Sequence, residues 1–264
     1  MTADRRQDSR RLRRTIPFRS LIPNAITLAA LCFGLTGVRL AIGGDFEKAL
    51  AAVVTAGVLD GLDGRVARLL KGTSRFGAEL DSLSDLTAHG VAPALIIYLW
   101  ALHALPGVGW LIALTHAACC ALRLARFNAA FDTEDGPMKS AGFFTGVPAP
   151  LGAGLTLLPL TFWLWLGHDV FREPLVVGVM VITTALLMIS SLPTWSWSKL
   201  RIKPEWRLLA LAFVAVIAGG LFSAPWMTLS LIGIAYLVSI PFSYLSYQKV
   251  KQRIAKSTAE TGAV

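Results

Sequence analysis

Eight long apolar runs occupy almost the whole of this chain, and they constrain its fold more than any other feature. They cover about residues 22–42, 47–70, 78–101, 107–128, 147–167, 172–192, 207–223 and 226–246. A bilayer core takes roughly 20 helical residues to cross. Backbone groups in lipid must bond internally, so spanning segments are helices or closed barrels. Barrel strands would alternate apolar and polar residues; these runs are continuous, which selects helices. The 264 residues are 55% hydrophobic and only 16% charged, with a mean hydropathy of +0.60. That leaves too little polar surface for a soluble protein of this size. The expected fold is all-α, a polytopic membrane protein of about eight transmembrane helices. A short basic juxtamembrane segment (1–21) precedes a membrane domain (22–246: a core at 22–192 and extra helices at 207–246), and a cytosolic tail follows (247–264). The other polar pieces, 129–142 and 193–206, are too short to fold alone, and no repeat or low-complexity segment is visible.

The basic residues fall on alternate loops. Arg5, Arg6, Arg10, Arg11, Arg13, Arg14 and Arg19 precede the first run. Arg65, Arg68, Lys71 and Arg75 lie between runs two and three, and Arg123, Arg126 and Lys139 between four and five. Lys199, Arg201, Lys203 and Arg207 lie between six and seven, and Lys249, Lys251, Arg253 and Lys256 follow the last. The other side holds Lys48 and Arg172, with Arg39 near it. By the positive-inside rule both termini and the 65–77 loop face the cytosol, and the span number is even. The net charge of +9 therefore belongs to membrane edges and anionic lipid headgroups, not to nucleic acid, because it forms no soluble basic face. The first run is too long for a signal peptide and lacks a small-x-small cleavage site, so it reads as an uncleaved span. Cys32, Cys119 and Cys120 lack metal-site spacing and form no disulfide framework. Trp110, Trp206 and Trp226 sit near run edges, as interfacial anchors do. Gly34 and Gly37, and Gly219 with Gly220, read as close-packing positions between helices.

Against this background four carboxylates stand out: Asp60, Asp63, Asp81 and Asp85. A carboxylate at mid-bilayer costs roughly 3 kcal/mol on insertion scales, so four unpaired ones would cost on the order of 10 kcal/mol. Asp60 and Asp63, at i and i+3, share one helix face near the cytosolic end of the second run. Asp81 and Asp85, at i and i+4, share a face near the start of the third. The loop between turns the chain back, so the two faces meet in a four-carboxylate cup. Hard divalent cations prefer carboxylate oxygens, and one or two would fit there. Gly64 and Gly77 allow close approach of a ligand. Arg68 can pair with phosphate oxygens, and Thr73 and Ser74 add hydroxyls. Carboxylates with arginine and glycine describe a diphosphate site better than a proton relay or a cation transporter, which would spread its acids across the bilayer depth. His89 lies one helical turn from Asp85 and is within reach of the site, though a packing or hydrogen-bonding role is the plainer one for it.

The pattern Asp-x-x-Asp-Gly-x-x-Ala-Arg, eight residues, then Gly-x-x-x-Asp-x-x-x-Asp resembles the signature of the CDP-alcohol phosphatidyltransferases. Asp60, Asp63, Gly64, Ala67, Arg68, Gly77, Asp81 and Asp85 match at every position. Ile22 to Thr27 resembles that family's lead-in to its first span. The stretches Asp81 to Asp85, Gly90 to Ala94, Leu122 to Asn128 and Phe144 to Pro150 are similar to its bacterial phosphatidylserine synthase branch. One departure is His89, where that branch often has Phe. The likeness covers residues 15–155 well and the last three spans weakly.

The resemblance implies transfer of a phosphatidyl group from CDP-diacylglycerol to L-serine with release of CMP, in a bacterial inner membrane with the active site on the cytosolic side. It implies two divalent metals, Mg2+ or Mn2+, on Asp60, Asp63 and Asp81, with Asp85 as general base and a shared ligand. It implies cytidine diphosphate contacts for Gly64, Arg68 and Gly77, and a homodimer. A serine hydroxyl is a poor nucleophile at neutral pH, so a positioned carboxylate is chemically apt. The aspartates do not distinguish serine from glycerol 3-phosphate, inositol phosphate or choline. Arg123, Arg126 and Asn128, at the cytosolic end of the fourth run, are the candidates for holding the serine carboxylate, and Arg126 leads among them.

Overall fold

The computed structural model describes residues 18–129, 143–195 and 204–261. The basic segment before residue 18, Lys139, and the group Lys199, Arg201 and Lys203 lie outside the described residues. Each of the eight apolar runs contains a helix or a helix pair. Helix α1 is Phe18–Ile42 and α2 is Phe46–Leu69. The third run is α3 (Arg75–Asp85), a π-helical turn (Leu86–Val91) and α4 (Ala92–Trp100). Then come α5 (Val108–Ala129), α6 (Ala149–Thr156), α7 (Leu158–Leu166), α8 (Pro174–Ile189), α9 (Arg207–Ser223) and α10 (Pro225–Thr261).

Among the described residues, three helices are long and apolar enough to cross a membrane: Arg19–Ile42, Val108–Ala129 and Pro225–Gln248. The α6–α7 pair, bent by 44°, makes a fourth if it is one broken span. The protein is thus all-α with three to four helices of membrane-spanning character. The other runs fall short for visible reasons. Helix α2 carries Asp60, Asp63, Arg65 and Arg68 in its second half, the third run is split by the π turn, and α8 and α9 have 16 and 17 residues. The bend in run five follows from Pro159, which has no N–H to donate and whose ring crowds the preceding turn.

Two expectations need correction, the purely helical reading and the close packing of Gly219. Phe143–Thr145 and Pro193–Trp195 form a two-stranded antiparallel ribbon, Phe144 opposite Thr194. The chain then turns at Gly146, whose φ of +73° is left-handed and whose missing side chain leaves room for the Met188 and Ser190 carbonyls. Gly219 faces open space, whereas Gly34 packs against Ala88, Gly37 against the Ala49 carbonyl and Gly220 against Thr228.

The core forms where α1, α2, α4, α5, α7 and α8 meet, around Leu50, Val53, Ile96, Ile97, Trp100, Leu160 and Val181. Arg172 donates from Nε to the Trp100 carbonyl (3.2 Å) and lies over the rings of Trp100 and Trp163. Trp226 Nε1 donates to Glu47 Oε1 (3.1 Å), tying α10 to the start of α2. That start is capped by Asp45, which accepts from the Lys48 backbone and ammonium; the latter bond holds its carboxyl below the usual range. The aspartates lie at the opposite end of α2.

Candidate active site

The turn from α2 to α3 builds the site. Lys71 adopts φ +50°, and the backbone of Gly72 packs against Arg19 in α1. Ser74 then starts α3 as its N-cap, accepting from Gly77 N–H (3.0 Å). Gly77 lies close to α1: a Cβ there would stand 2.9 Å from Asn24 Oδ1 and push that amide aside. Gly64, by contrast, faces open space. The result is a cavity of about 390 Å³ whose lining includes Asp63, Gly64, Arg68, Thr73, Ser74, Gly77 and Asp81. Gly64, Arg68 and Gly77, expected to contact the cytidine diphosphate, therefore line one recess with the hydroxyl residues Thr73 and Ser74 and with two of the aspartates.

The helical spacings bring the four carboxylates together. Oxygens of Asp60, Asp63 and Asp81 lie within 4.8 Å of one another, and so do ligand atoms of Asp60, Asp85 and His89. Asp60 belongs to both groups. Among the described residues no lysine or arginine lies within ion-pair distance of any of the four, so Arg65 and Arg68 leave them unneutralised. Asp63 is the most deeply buried, and the Thr27 hydroxyl donates to its Oδ2 (2.5 Å). Ser84, between Asp81 and Asp85, donates to the Thr27 carbonyl (3.0 Å) and locks α3 to α1.

Three contributors were weakly marked in the sequence. Asn24 and Thr27 sit one turn apart in α1, polar residues in an otherwise apolar run, and that spacing is their signal. His89, four residues after Asp85, is not a packing residue alone. Its side chain is 2% exposed, with Nε2 3.4 Å from Asp60 Oδ2 and 3.7 Å from Asp85 Oδ1.

The acceptor candidates separate. Arg126 donates from Nη1 to the Ile189 carbonyl (3.0 Å) and from Nη2 to that of Ser190 (3.3 Å), capping the end of α8. Asn128 donates to Ser82 Oγ (2.9 Å). Arg123 is partly buried, and its Nε has no hydrogen-bond partner.

Comparison with known proteins bears on what this cluster does. Residues 20–192 match the family model described as CDP-alcohol phosphatidyltransferase, and residues 205–241 match that described as CDP-alcohol phosphatidyltransferase 2. A CDP-diacylglycerol–serine O-phosphatidyltransferase of Mycobacterium tuberculosis (strain ATCC 25618 / H37Rv) is 37% identical over 236 residues, covering 88% of this chain and 81% of that protein. The chain belongs to the CDP-alcohol phosphatidyltransferase family. A protein of the same description from Helicobacter pylori (strain J99) is 34% identical over 222 residues, 83% of this chain and 88% of that protein. One from Bacillus subtilis (strain 168) is 38% identical over 141 residues, 53% of this chain and 75% of that protein.

Members of this family use divalent metals. The residues here fit such ions: the donors are mostly carboxylates, no lysine or arginine among the described residues pairs with them, and Asp85 Oδ1 is a buried oxygen with no hydrogen-bond partner. An isolated buried cluster of like charges is costly, and a cation removes that cost.

Proposed function

We propose that the protein transfers the phosphatidyl group of CDP-diacylglycerol to L-serine, forming phosphatidylserine and CMP. The observation that carries this reading is the convergence of four unneutralised aspartates beside a recess lined by Gly64, Arg68, Thr73, Ser74 and Gly77. Relatives described as serine O-phosphatidyltransferases support the acceptor. Asp60, Asp63, Asp81 and Asp85 would hold two divalent cations, Mg2+ or Mn2+, which when bound neutralise charge at the diphosphate. Arg68 pairs with diphosphate oxygens, Gly64 and Gly77 admit the nucleotide, and the Thr73 and Ser74 hydroxyls complete the recess. Asp85 takes the proton of the serine hydroxyl as its oxygen attacks the phosphatidyl phosphorus. The phosphoanhydride bond to CMP breaks, and CMP leaves with the electron pair. An apolar cavity of about 270 Å³, lined by Leu50, Val53, Leu158, Leu229 and Ile232 among others, is suited to an acyl chain.

For the serine carboxylate we favour Arg123, because the Arg126 guanidinium is already spent on α8 while Arg123 Nε is unpaired. Arg123→Ala should raise the serine KM about tenfold or more with CDP-diacylglycerol affinity little changed. Arg126→Ala should lower thermal stability and leave the serine KM within about threefold of wild type. Steady-state kinetics on both variants check this, and an unchanged serine KM in Arg123→Ala would remove that residue from acceptor binding. Purified protein given CDP-diacylglycerol and a panel of alcohols tests the acceptor itself. Serine should release CMP fastest, and a faster rate with glycerol 3-phosphate, inositol phosphate or choline would reassign it.

The proposed topology has eight crossings in a bacterial inner membrane: α1, α2, the α3–α4 run, α5, the bent α6–α7 pair, α8, α9 and α10, with both termini cytosolic. The alternation of basic loops supports it. In a variant whose three cysteines are replaced by alanine, Arg75→Cys should resist a membrane-impermeant thiol reagent in intact cells. Gly43→Cys, in the loop before α2, should react. The reverse pattern would invert the orientation and the site with it.

A further inference from the structure

His89 occupies an unusual position. It lies within the π-helical turn Leu86–Val91, a rare element that often marks functional positions. Its carbonyl faces the buried His116 Nε2 at 3.3 Å, and Thr156 Oγ1 lies 3.0 Å from His116 Nδ1, so the turn is held from behind. Its ring lies between the carboxylates and the apolar cavity. Nε2 faces Asp60 Oδ2 and Asp85 Oδ1 at 3.4 and 3.7 Å yet makes no hydrogen bond, and Asp85 Oδ1 makes none either. Buried polar atoms are nearly always partnered, so two orphans facing each other call for a third body. Donors that share one cation at about 2.1 Å stand roughly 3.0–3.5 Å apart, close to the spacing seen.

We propose that His89 is itself a metal ligand, completing with Asp60 and Asp85 a mixed imidazole–carboxylate site that prefers a first-row transition dication to Mg2+. The inference rests on the reading of the aspartates as metal-holding and adds to it a nitrogen donor. Imidazole strengthens binding of transition dications far more than of Mg2+, which keeps to oxygen. Asp60 then bridges an all-carboxylate position, shared with Asp63 and Asp81, and a nitrogen-containing one.

The probe is Mn2+ added to the purified full-length chain in micelles and examined by pulsed electron paramagnetic resonance. The wild type should show a directly coordinated nitrogen whose frequencies change when histidine is labelled with 15N. That signal should vanish in His89→Gln and in His89→Phe. Mn2+ should bind about tenfold or more weakly to either variant, while Mg2+ affinity by competition changes less than about threefold. His89→Gln keeps a polar side chain of similar reach, so at least one folded variant is available. Bound Mn2+ with no nitrogen coupling, or coupling that survives in His89→Gln, would overturn the proposal and leave the carboxylate site standing. Mn2+ binding equally tight in wild type and Asp60→Asn would remove the carboxylate site as well.

Discussion

Asp60→Asn is expected to reduce CMP release by at least 10²–10³-fold and to weaken divalent-metal binding with it. Asp60 is singled out because it belongs to both groups of converging donors, whereas Asp63, Asp81 and Asp85 belong to one each. The loss should not be a folding defect. Asparagine keeps the shape of the side chain, and among the described residues no lysine or arginine pairs with Asp60, so the metal-free variant should melt close to the metal-free wild type. Asp63→Asn differs in this respect, because Asp63 also accepts a buried hydrogen bond from Thr27 and losing it should cost stability. CMP release titrated against Mn2+ and Mg2+, with thermal melts of the metal-free proteins, checks both parts. An Asp60→Asn protein within tenfold of wild-type rate and with an ordinary metal requirement would contradict the assignment.

Asp85→Asn should lower turnover by about 10²–10⁴-fold, the range for loss of a general base. Its CDP-diacylglycerol affinity should stay within about threefold of wild type, since a base acts mainly in the transition state. The contrast with Asp60→Asn is the informative part: Asp60→Asn removes a donor common to both groups and loses metal and rate together, whereas Asp85→Asn removes the base and a donor of one group only, so its rate should fall further than its metal affinity. Turnover at saturating serine and direct binding of CDP-diacylglycerol separate the two. Near-normal turnover in Asp85→Asn would move the base elsewhere.

The site was more legible than the fold around it, for physical reasons. Spacings of three and four residues place Asp60 with Asp63 and Asp81 with Asp85 whatever the rest of the chain does, because helical periodicity is local. The close approach at Gly34 and Gly37 was legible for the same reason, as small residues on one face of an apolar run. The ribbon of Phe143–Thr145 and Pro193–Trp195 was not, since two three-residue strands exist only through pairing across about fifty residues of sequence. The fates of Arg123 and Arg126 were not either. They share a helix face, but one reaches the carbonyls that end α8 and the other does not, and only tertiary packing decides that. His89 lay between these cases. Its spacing from Asp85 was plain, but the approach of Asp60 from α2 turns it from a packing residue into part of the cluster.

The most direct test follows product and leaving group in one reaction. Purified protein in micelles, given CDP-diacylglycerol, labelled L-serine and Mn2+, should form labelled phosphatidylserine and CMP in equal amounts, and neither in Asp60→Asn. CMP released without labelled phosphatidylserine, or phosphatidylserine formed as fast by Asp60→Asn as by the wild type, would contradict serine transfer at the aspartate cluster.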